Sequence, residues 1–245
     1  MNPSSFPDTD SNPAVPEAAA AVPRIQGWCP GALRPMPSGD GLVMRLRPRL
    51  ARFTLTQILA ICDAAERQGA GLIDITSRAN LQVRGVSEAG WSALLARFGR
   101  LGLLDASEVI EARRNLLVAP DWMPGDDTER IATALMARLD ALPALPAKVG
   151  FAIDAGAAPC LRDDPADFRI ERGAQGGLIL RADGRPHGVA VEADAAVEAL
   201  LALAHWFVAS GGCAAGRMTR YAAPLPAWAQ GVLPPAGAAP RLRAG

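Results

Sequence analysis

The chain has 245 residues, half of them hydrophobic, with 25 basic and 25 acidic residues and no net charge. That length supports one large domain or two small ones with a real core. The charge balance argues against a general nucleic-acid or membrane-surface binder. No uninterrupted apolar run is long enough to span a bilayer, and no signal-peptide pattern opens the chain, so a cytoplasmic protein is expected.

Residues 1–26 are rich in Pro, Ala, Ser and Asp and read as a disordered tail. Gly41 to Arg47 alternates Leu42, Met44 and Leu46 with Val43, Arg45 and Arg47, the period of a strand. Ser38-Gly39-Asp40-Gly41 before it reads as a turn, or as a loop close to a ligand edge. Thr54, with Gln57 three residues on, predicts a capping box and a helix to Gln68, stopped by Gly69. Leu72–Thr76 and Asn80–Val86 read as strands with a corner at 77–79. Ser87 caps a helix from Glu88 to Leu101, closed by Gly102.

Residues 27–105 thus have the order of a ferredoxin-like α+β sandwich, and residues 106–221 form a second α+β segment. In it, a helix is predicted from Asp127 to Leu142, ended by Pro143. Strands follow at 148–154, 167–171, 177–181 and 188–191, with a hairpin turn at Asp183-Gly184. A last helix runs over 194–210. The prolines from Pro224 onward predict a second tail over 222–245.

The run Asp74 to Gly85 carries the most chemistry. Arg78, Asn80, Gln82 and Arg84 alternate with apolar residues, so in a strand they share one face, a row of ~20 Å. Two guanidiniums bracketing two amides suit carboxylates, because the guanidinium fork matches them with paired hydrogen bonds. An ordinary wet strand face is the alternative. Asp74 reads as a turn residue. Cys29, Cys62, Cys160 and Cys213 lie dozens of residues apart with two histidines, so no metal site is expected from spacing. Cys62 reads as core and Cys29 as structural. Lys148 is the only lysine among 25 basic residues, which leaves 24 Arg.

Taken with Cys29-Pro30-Gly31, Met36 to Gly41, Arg114-Asn115-Leu116-Leu117-Val118 and Lys148 to Asp154, the run resembles the amino-terminal half of the nitrite and sulfite reductase family, with the precorrin-3B synthase branch nearest. The resemblance implies one ferredoxin-like half of a siroheme-type reductase. It implies that Arg78, Asn80, Gln82, Arg84 and Asn115 meet a tetrapyrrole, siroheme or precorrin-3A in the same site. It further implies that Arg47, Arg114 and Lys148 face the reacting side as catalytic residues; a solvated lysine at a strand end is the alternative for Lys148. Sulfite reductases carry a second lysine at the position of Gly150, and its absence favours the precorrin branch. There the implied reaction is oxygen-dependent hydroxylation of precorrin-3A with a [4Fe–4S] cluster. The family's C-x5-C and C-x3-C cluster motifs are missing from this chain. Three readings follow: a half-enzyme completed by a separate carboxy-terminal half or a homodimer, a non-catalytic tetrapyrrole-binding module, and a truncated fragment. A sulfite or nitrite reductase half is a further alternative.

Overall fold

The computed structural model describes residues 29–237; the first predicted tail lies outside them. Two β-sheets and five α-helices form an α+β architecture. The first sheet holds β1 (Met36–Ser38), β2 (Gly41–Leu46), β3 (Ile73–Ile75) and β4 (Leu81–Val86) in the order β1-β2-β4-β3, all antiparallel. Helices α1 (Leu55–Gln68) and α2 (Glu88–Arg100) cover one of its faces. Met44, Leu46, Val83 and Val86 pack there against Ile61, Ala64, Leu94 and Phe98. The capping box is formed: Gln57 N donates to Thr54 Oγ1 at 3.2 Å, and Thr54 N donates to Gln57 Oε1 at 2.9 Å. Ser87 caps α2 through Gly90 N.

Cys62 is a correction: it faces solvent on α1, while Ile61, Ala64 and Ala65 turn inward. Helical periodicity placed it one residue off the buried stripe. Leu55 and Leu59 on the same helix, and Leu72 and Ile75 at β3, are also exposed.

A short helix not anticipated from the pattern, α3 (Glu108–Arg113), leads into β5 (Leu116–Val118). Helix α4 spans Asp127–Met136, shorter than predicted. The chain then tightens into a 3-10 turn at Leu139–Ala141, and Leu142 becomes extended, as the residue before a proline must. The second sheet adds β6 (Phe151–Asp154), β7 (Phe168–Arg172), β8 (Leu178–Ala182) and β9 (Val189–Ala190) in sequential order. β5, β6 and β7 run parallel, and β7, β8 and β9 antiparallel. α4 and α5 (Ala196–Ala209) bury one face. Phe168 stacks on Phe151 at 5.9 Å and meets Phe207 edge-on at 5.8 Å.

Residues 222–237 correct the predicted second tail. They lie along the second sheet, with Ala174 N donating to Pro234 O and Ala236 N to Arg172 O, and with bridges from Gly173 to Pro235 and Gly188 to Leu233. The prolines prevent a regular strand but leave carbonyls that accept. No helix among the described residues is long and apolar enough to cross a membrane.

Candidate functional site: a basic cavity at the junction of the two sheets

The face of the first sheet opposite its helices is polar. Cross-strand pairing sets Arg45, Gln82 and Asp74 side by side. Arg45 donates twice to Gln82 Oε1, at 3.1 and 2.7 Å, and Gln82 Nε2 points to Asp74 at 3.5 Å. Arg84 is shared between Asp40 and Asp74, both at 3.2 Å. Asp40 is held below the ordinary carboxylate range, first by its hydrogen bond from Arg84.

The four-residue row therefore needs correcting. β4 begins at Leu81, so only Gln82 and Arg84 belong to the strand. Asn80 is buried and closes the corner: its N–H donates to Thr76 Oγ1 and its carbonyl accepts from Thr76 N. Arg78 sits in the turn and donates to the Lys148 carbonyl at 2.7 Å. Ala79 beside it takes the left-handed conformation, φ 53°. A turn, unlike a strand, does not continue the alternation.

Where the two sheets meet, a cavity of about 400 Å³ opens, lined by Cys29, Arg45, Arg47, Glu111, Asn115 and the 144–147 loop among others. The Cys29-Pro30-Gly31 loop wraps the Glu111 carboxylate, which accepts from Ala32 N at 2.7 Å and Leu33 N at 3.1 Å. A Cβ at position 31 would stand 2.1 Å from Glu111 Oε2, so any larger residue there would displace that carboxylate. Arg47 follows Arg45 with strand spacing and is 8% exposed. Its Nη1 lies 3.5 Å from Glu111 Oε1. Even so, Nε and Nη1 are buried without a hydrogen-bond partner. Burial depresses Arg47 to about 10, against the pull of Glu111. Arg45 is lowered by the same cause. Arg47 is thus a buried guanidinium with two unpaired donors, on a residue that lines the cavity.

Asn115 also lines the cavity and donates to Val149 O at 2.7 Å. Arg114 does not join it, which corrects the expectation of a catalytic role. Its Nε and Nη2 clamp Asp105 at 2.8–3.0 Å, and its Nη1 reaches the carbonyls of Arg47 and Pro48. With both groups 3% exposed, Arg114 is a structural brace behind the strand that carries Arg47. Lys148 is exposed in the turn before β6, outside the strand predicted to begin there, and does not line the cavity. Gly150 has no room for the second lysine of the sulfite reductases, because its Cβ would lie 2.7 Å from Asn115 O.

Sequence reasoning missed Glu111, Arg45, Asp167 and Arg217. Arg45 was visible in principle, two residues before Arg47 on the same strand face. The others carry no local signal, since the partners of their side chains lie 17 or more residues away, at 79 for Glu111–Ala32 and 50 for Arg217–Asp167.

Sheet order and helices define a ferredoxin-like half domain, and residues 34–101 match the family model described as the nitrite/sulfite reductase ferredoxin-like half domain. A precorrin-3B synthase from a Sinorhizobium species is 35% identical over 163 residues, 65% of this chain and 35% of that relative. The chain therefore spans about a third of the length of the curated relative it matches.

Proposed function

We propose that the chain binds an acidic tetrapyrrole, as one part of a precorrin-3B synthase-like oxidoreductase of corrin biosynthesis acting on precorrin-3A. The observation that carries this reading is Arg47, a buried, under-bonded cation on a cavity wall within a half domain of the nitrite/sulfite reductase kind. The cavity suits one acidic side arm of a macrocycle, while the ring lies against the polar sheet face beside Arg45 and Gln82. Arg47 and Arg45 bind and orient carboxylates; Asn115 shapes the wall. This divides the original set of site residues. Arg47, Arg78, Gln82, Arg84 and Asn115 are ligand-facing, Arg114 and Asn80 are structural, and Lys148 is exposed outside the cavity.

The iron–sulfur cluster of the family does not fit the described residues. Among them no three His, Cys, Asp or Glu side chains gather as a metal site. Cys62 and Cys213 are exposed on separate helical segments. Burial pushes Cys160 up to about 11, away from the thiolate a cluster ligand supplies. No step is assigned to a cluster in this chain. Oxygen-dependent hydroxylation then requires electron-transfer ligands from outside the described residues, supplied by a further half of the enzyme. The same cysteine placement favours a second reading, a tetrapyrrole-binding module without redox chemistry.

An anaerobic absorbance titration with siroheme, run with iron and labile-sulfide assays, tests the reading. A bound tetrapyrrole without labile sulfide is expected. A chain that takes up no tetrapyrrole refutes the proposal.

A further inference from the structure

We propose that Arg217 is a ligand-binding residue, forming with Arg78 a paired-guanidinium seat for one carboxylate of the acidic ligand. The inference rests on the tetrapyrrole reading and adds a residue from the far end of the chain. Arg217 lies after α5, at the start of the 3-10 turn Met218–Arg220. Its Nε donates to both oxygens of Asp167, at 2.8 and 3.0 Å. Asp167 is fully buried and also accepts from Met218 N at 2.7 Å and Gly150 N at 2.9 Å. That carboxylate is saturated. It fixes Arg217 to the entrance of β6, only two residues from Lys148.

Arg78 reaches the same turn from the first sheet, through its 2.7 Å bond to the Lys148 carbonyl. Arg78 is thus anchored on the Lys148 carbonyl, and Arg217 on Asp167, the carboxylate that also holds Gly150 N. Arg78 is depressed first by burial and next by the charge of Arg217. Asp167 is the acid that faces this group, and its oxygens are already committed. Among the described residues Arg217 Nη1 has no partner, and Nη2 has only a 3.5 Å contact to Ala166 O. Like charges fixed side by side with donors to spare are a preorganised anion site, because a bound carboxylate removes their repulsion and fills the open fork.

The competing role for Arg217 is purely to pin Asp167. Fluorescence titration with uroporphyrin, an octacarboxylate probe, separates the two when run on the native chain and on R217Q, R217K and R78Q, each paired with a urea melt. R217Q is expected to weaken binding about 10-fold or more at low salt, with the deficit shrinking as salt rises. R217K, which keeps the charge and loses the fork, falls between. R78Q and R217Q together lose less than the product of the single effects, since they share one carboxylate. Native affinity in both R217Q and R217K overturns the seat while leaving the tetrapyrrole reading intact. If R217Q does not fold, R217K decides alone. A native chain that binds no uroporphyrin overturns both.

Discussion

Replacing Arg47 by Met separates ligand binding from stability. Burial depresses Arg47 from the ordinary arginine value to about 10 with its side chain 8% exposed, so the buried charge is disfavoured by roughly 3 kcal/mol. Methionine replaces the aliphatic stem and leaves no donor unpaired. Removing one member of a buried ion pair commonly costs ~3–5 kcal/mol, because the survivor is stranded. Here the survivor is not stranded: Glu111 keeps its bonds from Ala32 N and Leu33 N. The variant is therefore expected to match or exceed native stability, by up to ~2 kcal/mol, in urea denaturation. Its uroporphyrin affinity should fall about 10- to 100-fold through the lost charge-assisted bonds. A variant that loses more than ~2 kcal/mol yet binds as the native chain would refute the reasoning and make Arg47 a structural cation.

The converse change, Glu111→Ala, leaves Arg47 without its counter-charge and orphans two backbone donors, so a loss of ~3–5 kcal/mol is expected in the same denaturation experiment. Gly150→Lys drives a Cβ to 2.7 Å from Asn115 O and should cost ~1–3 kcal/mol, read as a lowered urea midpoint. Asp154 is raised above 3.8, first by burial, so the native state holds this proton more tightly than the unfolded chain does. Stability from it is complete below pH 3.8 and is lost as pH rises through the raised value. Asp154→Asn should flatten that decline, with a Tm above the native one at pH 7 and no such gain at pH 3. A Tm profile parallel to the native one at every pH would show that Asp154 carries no such linkage.

Much of the fold was legible because its signals are local. The Thr54–Gln57 box, the Ser87 cap and the Asp183-Gly184 turn act within four residues, and each formed as read. Alternation along Gly41–Arg47 likewise placed Met44 and Leu46 in the core. What a single strand's pattern cannot contain is its neighbour. Gln82 and Arg84 spend their donors and acceptors on Arg45, Asp40 and Asp74, which arrive through cross-strand pairing. Arg114 was grouped with Arg47 by resemblance, but Asp105 claims it. Helix α3 escaped because six residues show too little periodicity, and with it went Glu111, the residue that shapes the cavity. The prolines after 222 truthfully excluded regular strands but not backbone pairing, which needs only their carbonyls.

The most direct test of the account is to titrate the native chain with uroporphyrin and with its octamethyl ester, at low and high salt. The free acid should bind with one tetrapyrrole per chain and weaken as salt rises, while the ester, identical in ring and lacking the charges, should not bind. Equal binding of acid and ester would contradict recognition of carboxylates by Arg45, Arg47 and Arg78.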